Sequence, residues 1–444
     1  MQPHGSGENR PPRRIGEDTS PRRPSDDSPP RRASDDTSPR RNGDDSPPRR
    51  IGFDYLRGFV IVMVVLYHTM LAYCTFGHFN PQHYMWSTAP IVDAQRWRGF
   101  DVAVLFNDSY FMPLMFLLSG LFVRPSLGRK GARGYLLDRL RRLGVPFALA
   151  VLTIMPLAFY ASYRMTGAAH GFGAFWLQTV TQGPWPAGPP WFIAVLFGFD
   201  VVAVATRPLW VRLDWSRLDW SRLDWSRLDW SRVDWSRVDW SRLGGSFWFL
   251  GAVTLASLLP LLLRFGPYLW FSWGPFSIQA SRMLLYPAYF LVGAAAGPGL
   301  RVEGRRTVIV AAALFLPLLA EQTGELRIPG LLSPGTWLVL YGVTLALFCT
   351  AATRTLLALF ARFQIRSPIW DSLSANSYGI YLVHYVFVLW GQYVLVDSKI
   401  GAIPKAAAVF VAALGLSWGC SAAWGALLRT RLAATPSIAG LGRR

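Results

Sequence analysis

From residue 51 onward the chain alternates long apolar runs with short polar, arginine-bearing connections. The runs lie near 56–76, 102–123, 144–162, 190–208, 246–264, 283–299, 306–321, 335–353, 376–396 and 405–428. Most approach the roughly 20 residues that a helix needs to cross a bilayer. Lipid offers the backbone no hydrogen-bond partner, so a span made of one segment must be helical. The pattern predicts an all-α integral membrane protein with about ten transmembrane helices. Two spans are marginal, the short 306–321 and the Asp200-bearing 190–208.

Residues 1–50 break the pattern. They carry a nine-residue repeat, "RRIGEDTSP", "RRPSDDSPP", "RRASDDTSP", "RRNGDDSPP". No unit has enough apolar surface to offset its ordering entropy, so a disordered cytoplasmic tail is expected there. The membrane domain then covers 51–428, and 429–444 form a second cytoplasmic tail. Between spans four and five lies a second repeat, six pentapeptides over 213–242, four "LDWSR" and two "VDWSR". Five residues advance a helix by a net ~140°, so the leucines and tryptophans form no single stripe. A tandem expansion in a tolerant cytoplasmic loop is the reading adopted, with Asp three residues before Arg lending weak support to a helix.

Composition agrees with the pattern and charge orients it. The chain is 52% hydrophobic and 16% charged, below the roughly one quarter charged of soluble domains. A net charge of +19 would suit nucleic acid, but the cations sit between apolar spans, where membrane topology accounts for them. Seven Arg and Lys fall in 124–142 and eight in 207–242, against eight in all near the outer ends of spans. This bias places both termini in the cytoplasm and the protein in the inner (plasma) membrane as a multi-pass chain in contact with lipid. The doublet Arg49–Arg50 before the first span is no export signal, since it recurs through the tail and no small-residue cleavage site follows. Cys74, Cys349 and Cys420 lack metal-ligand spacing and read as buried thiols.

Charges inside spans are costly and tend to be functional. Arg57 and His68 lie eleven residues apart on the first span, close to three helical turns, so they share a face about 16 Å apart along the axis. Counting rise per residue from the outer boundary brings Asp108 to about the level of His68. An Asp–His pair would orient the imidazole as a general base. His384, on the ninth span, reaches a similar depth, with Ser377 and Tyr381 nearer the cytoplasm. Two membrane histidines at one depth point to a shared cavity, and no third ligand at helical spacing supports a metal. Arg139, Arg141 and Arg142 end a cytoplasmic loop, where guanidinium forks suit phosphates. The Trp- and Pro-rich loop before the fourth span carries Trp191, either an interfacial anchor or a face for a sugar ring.

These residues resemble the signature of the acyltransferase 3 family, multispan enzymes that O-acylate surface polysaccharides, periplasmic glucans and related acceptors. "FDYLRGFVIVMVVLYH" resembles the family's first-span motif, here Asp54, Arg57 and His68. "FMPLMFLLSGLFV" is similar to its Phe-rich second-span motif ending at Ser119 and Gly120. "YLLDRLRRLGVPF" resembles its arginine-rich entry to the third span, with Arg139, Arg142 and Pro146. "PPWFIAVL" matches its Trp-Phe motif at Trp191 and Phe192, and "SYGIYLVH" its late motif, Ser377 to His384. The likeness covers about 52–428 and is nearest to the glucan-modifying branch. Two features depart from the family pattern: the pentapeptide array, and the lack of a hydrolase-like domain after the last span.

The resemblance implies a cytoplasmic acyl-CoA donor, no tightly bound cofactor, and an acceptor hydroxyl on an extracytoplasmic glycan or glycolipid. Arg57, Arg139 and Arg142 would hold the donor's phosphates. His68, Asp108 and His384 would form the catalytic group, with Asp54, Ser119, Trp191, Ser377 and Tyr381 in support. His68 acts either as general base or as the nucleophile of an acyl-imidazole. A proton-coupled secondary transporter would also use intramembrane His, Asp and Arg. The apolar runs show no inverted repeat, and the motif order fits the acyltransferases. A non-catalytic scaffold displaying the two repeat arrays is a third reading.

Overall fold

The structure is a computed structural model that describes residues 51–207, 239–323 and 332–434, apart from 274, 303, 305 and 364. The nine-residue repeats and most of the pentapeptide array and C-terminal tail lie outside the described residues.

Among the described residues, seven helical segments are long and apolar enough to cross a membrane: Ile51–Leu71, Arg98–Gly120, Val123–Met165, Phe247–Phe265, Pro334–Phe360, Pro368–Leu395 and Ala402–Thr430. Two shorter apolar helices, Trp191–Ala205 and Thr307–Glu321, fall on the two marginal spans. The sixth apolar run holds a helix of 12 residues, Leu285–Ala296.

The first helix, α1 (Ile51–Leu71), is central and buries Leu56, Val60 and Val65 completely. The second span is two helices, α2 (Arg98–Asp108) and α3 (Phe111–Gly120). Tyr110, with φ −136 and ψ −23, breaks the helix between them. Pro113 has no N–H to give to the Ser109 carbonyl four residues back. Asn107 and Ser109 bond away to backbone, Asn107 Nδ2 to the Met63 carbonyl and Ser109 Oγ to the Leu105 carbonyl.

The helical segment that holds the third span runs from Val123 to Met165; it is kinked at Gly131 (φ 68, ψ 171) and is not uniformly α-helical after α4. After α4 (Val123–Arg139), π-helical turns at Leu140–Gly144 and Ala150–Ile154 flank α5 (Val145–Leu149) and lead into α6 (Met155–Met165). Pro146 and Pro156 explain the irregularity. Each withholds the N–H that the carbonyl four residues earlier would accept. Side chains take those carbonyls instead: Tyr378 OH donates to Arg142 O at 2.5 Å and Trp176 Nε1 to Leu152 O at 2.9 Å.

Next come α7 (Phe172–Gln182) and α8 (Trp191–Ala205). At the end of the pentapeptide array the described residues form one turn, α9 (Trp240–Leu243), capped by the Asp239 carboxylate on Arg242 N. The remaining helices are α10 (Phe247–Phe265), α11 (Leu285–Ala296), α12 (Thr307–Thr323), α13 (Pro334–Phe360), α14 (Pro368–Leu395) and α15 (Ala402–Ala434). The all-α expectation needs one correction. An antiparallel hairpin, β1 (Trp270–Trp273) and β2 (Phe276–Gln279), pairs Trp270 with Gln279 and Trp273 with Phe276. Its strands have four residues each, too short to stand out in a hydropathy pattern.

Two contacts set the helix positions that matter for the site. α3 and α11 meet at glycines: a Cβ on Gly120 would strike the Phe290 carbonyl, and one on Gly293 the Leu117 carbonyl. Small residues let membrane helices approach this closely. α1 and α14 are tied at both ends. Tyr55 OH donates to Asp371 Oδ1 at 2.9 Å, and Gln392 Nε2 donates to the His68 and Thr69 carbonyls, each at 3.0 Å.

Candidate active site

The C-terminal half of α1 and the middle of α14 bring two histidines together. The ring of His68 lies 5.4 Å from that of His384, centroid to centroid, and 5.0 Å from that of Tyr385. His384 is fully buried, at 0% exposure. Its Nδ1 is 2.7 Å from the Tyr381 carbonyl, which can only accept, so the proton sits on Nδ1 and Nε2 keeps its lone pair. Among the described residues, neither His384 Nε2 nor His68 Nδ1 has a hydrogen-bond partner. A buried polar atom left unpaired is costly and invites a functional explanation.

His68 opens into a cleft of about 980 Å³, its mouth included, that also takes in Asp108, Trp191, Trp270, Arg282 and Tyr286. Call it the histidine cleft. Asp108 and His68 therefore share a wall, but the expected Asp–His pair is not what the structure builds. Asp108 pairs with Arg282, Nη2 to Oδ2 at 2.6 Å, and Nη1 of the same arginine donates to the Asp108 carbonyl at 2.7 Å. The break after α2 is the physical reason. It frees a carbonyl and aims a carboxylate at one place, and a guanidinium satisfies both at once. Arg282 escaped the sequence reading, because it looks like any cation near a span's outer end. An arginine on the side that positive-inside bias disfavours was the available signal. Trp270, from the hairpin, and Trp86, from the loop after α1, join Trp191 in this cleft and were also missed.

A second cleft, about 1980 Å³ with its mouth, gathers Arg57, Ser119, Arg139, Arg142, Ser377 and Tyr381. Arg129, Lys130 and Arg141 add to it, so six cations line this basic cleft, with Asp138 among them. Asp54 stands beside it, 3.5 Å from Arg57 Nη1, and the Arg57 guanidinium lies 4.6 Å over the Phe122 ring. Arg142 is 3.0 Å from Asp138 and 71% exposed, while Lys130 reaches the same carboxylate at 2.8 Å. Ser119 and Ser377 donate to carbonyls one turn back on their own helices, Met115 and Ser374. Tyr381 OH donates to the Pro189 carbonyl and so anchors the entry to α8.

Arg139 is held from behind. Its Nε is 3.3 Å from Oδ2 of Asp200, a carboxylate only 1% exposed that also accepts from Tyr135 OH. The contact with Arg139 is an ion pair without good hydrogen-bond alignment. Asp200 had entered the sequence reading only as a blemish in a weak span.

The two clefts share four helices. Nearby positions face different ones: Ile61 and Val64 on α1, Met115 and Met112 on α3, the adjacent Phe192 and Trp191 on α8, Tyr381 and Tyr385 on α14. In each pair the first faces the basic cleft and the second the histidine cleft. The septum between them is thus about one helical turn, ~5 Å, along α1, α3 and α14, and less along α8. His384 lines neither cleft and stands next to His68, which lines the histidine cleft.

No curated protein and no solved structure matches the chain. A family model for an acyltransferase domain, Acyl_transf_3, matches it across residues 50–422, from the base of α1 to within α15 and through every residue of both clefts. By that match the chain belongs to the acyltransferase 3 family of membrane acyltransferases.

Proposed function

We propose that this membrane acyltransferase moves an acyl group from cytoplasmic acyl-CoA to a hydroxyl of an extracytoplasmic glycan or glycolipid, with His68 as general base. The observation that carries the reading is the pair of clefts on shared helices, one cationic and one built around an imidazole, a single turn apart. In this reading ten spans put both termini and the basic cleft in the cytoplasm. Arg57, Arg139 and Arg142 grip the donor's phosphates there, and guanidinium forks suit them. The flexible pantetheine arm crosses the septum along α1 and delivers its thioester beside His68. The acceptor enters the histidine cleft, whose tryptophans give a sugar ring apolar faces to lie on.

His384 has its Nδ1 proton committed to Tyr381 and offers its Nε2 lone pair beside His68. A small ring rotation lets it accept from His68 Nδ1–H. That leaves His68 Nε2 basic and free to take the acceptor's proton. His384 is then a positioning residue.

The test is transfer of label. Membranes containing the full chain, given radiolabelled short-chain acyl-CoA thioesters, should label an envelope glycan or glycolipid fraction. His68→Ala should cut that rate by about 10²–10⁴, the usual cost of a lost general base, with protein level and insertion near wild type. A transporter or scaffold would label nothing. Undiminished transfer by His68→Ala would end the base assignment.

A further inference from the structure

Arg282 is a buried cation whose place topology does not explain. Positive-inside bias leaves few arginines on the side where the proposed topology puts it. Burying one is unfavourable unless a partner compensates. Its side chain is 9% exposed, and it donates two hydrogen bonds to Asp108, one to the carboxylate and one to the carbonyl, with the Tyr286 hydroxyl beside the same guanidinium. A guanidinium has five N–H groups; Asp108 takes two and Tyr286 stands beside it, which leaves at least two more. The Arg282 side chain lines the cleft that holds His68. Among the described residues lining it, Arg282 is the single cation that stays charged at every physiological pH.

Acyl transfer from a thioester creates negative charge on the carbonyl oxygen as the tetrahedral intermediate forms. A general base does nothing for that charge. Fixed donors aimed at it usually supply the largest electrostatic contribution. We infer that Arg282 is a further catalytic residue, the donor that stabilises this oxyanion, and that Asp108 is a positioning residue that fixes the plane of its guanidinium. The inference rests on the acyltransferase reading above.

The step balances as follows. The acceptor oxygen attacks the thioester carbon and forms the new C–O bond, while its proton passes to His68. The carbonyl π pair moves onto oxygen, where Arg282 meets it. When that pair returns, the C–S bond breaks and CoA leaves as a thiolate. The thiolate takes the proton from the His68 imidazolium. Ester and CoA thiol are the products, and the enzyme ends as it began.

The pair could instead be a structural brace between the α2 break and the turn before α11. A charge-neutral double variant separates the two roles. Initial rates would be measured on the full chain with the acyl-CoA that labels the envelope fraction. Arg282→Gln should lower kcat by about 10²–10³, the usual loss for one oxyanion donor, with the donor's KM little changed. Arg282→Lys keeps the charge without the fork and should fall between that variant and wild type. Asp108→Asn should cost less than Arg282→Gln. The double variant Arg282→Gln/Asp108→Asn carries no unpaired charge, and it should stay as slow as Arg282→Gln alone. Unfolding temperature in detergent accompanies each rate, and Arg282→Lys carries the test if Arg282→Gln does not fold. Recovery of kcat in the double variant would make the pair a brace and overturn the proposal. So would a loss confined to KM, which would make Arg282 a binding group for an anionic substrate. If wild type transfers label, His68→Ala does not, and Arg282→Gln keeps wild-type kcat, this inference alone fails. If wild type transfers nothing, the acyltransferase reading fails first.

Discussion

Among the described residues, three ion pairs, one fully and two partly buried, join segments distant in sequence. Asp93 and Lys405, both essentially unexposed, meet at 2.7 Å between the loop after α1 and the start of α15. Asp108 meets Arg282 in the histidine cleft, and Asp200 meets Arg139 beside the basic one. The last two differ from the first in lining or backing a cleft, and that gives them measurable consequences. Asp200→Asn keeps the shape but loosens Arg139, so the donor's apparent KM should rise about three- to tenfold, the loss of part of a charge-assisted contact. Arg57→Lys keeps a positive charge and loses the planar fork, and should raise the same KM. Titrating acyl-CoA against initial rate checks both. An unfolding temperature that drops in Asp200→Asn while KM stays put would leave Asp200 a tie between α4 and α8 and nothing more. At this scale the sequence made Arg57, His68 and His384 legible through depth counting. It could not disclose Arg282 or the role of Asp200, because which charge meets which depends on how non-adjacent helices pack.

Helical irregularity here follows from prolines and polar clusters, and its consequences land in the site. Pro146 frees the carbonyl of Arg142, and Tyr378 of α14 takes it, which fixes the end of the basic loop against α14. The break at Tyr110 turns Asp108 toward Arg282. The prolines were plain in the sequence, but hydropathy alone joined α2 to α3 and made the third span look regular. The glycine contact between α3 and α11 is equally local and has a sharp test. Gly293→Leu would drive a side chain into the Leu117 carbonyl, a backbone atom that cannot swing aside. Overpacking of this kind costs about 1–3 kcal/mol. A lower unfolding temperature in detergent is expected, with the donor's KM unchanged in protein that remains folded. A wild-type unfolding temperature would mean that the two helices can part without penalty.

At the scale of the membrane domain, the same four helices wall both clefts, so in the proposed reading a donor on one face and an acceptor on the other would be brought close together. That arrangement makes sense for transfer across a membrane only if the basic cleft faces the cytoplasm. Reporter fusions after Arg142, within 213–242 and after Arg429 should therefore report the cytoplasm, and one near Pro81 the outside. A pentapeptide loop that reports the outside would overturn the ten-span topology and reverse the assignment of donor and acceptor sides.

Hydropathy and charge bias by themselves determined that the chain is a helical membrane protein, because lipid forces every backbone group into internal hydrogen bonds and loops sort by charge. Motif order by itself pointed to the family that the match over residues 50–422 then showed. Those signals are local or additive along the chain. Only the tertiary structure decided that Asp108 serves Arg282 and not His68, that His384 stands behind His68 with its Nδ1 proton on Tyr381, and that Trp86 and Trp270 join Trp191. Each depends on the rotation of one helix against another. Rise per residue measures depth, but it leaves that angle open.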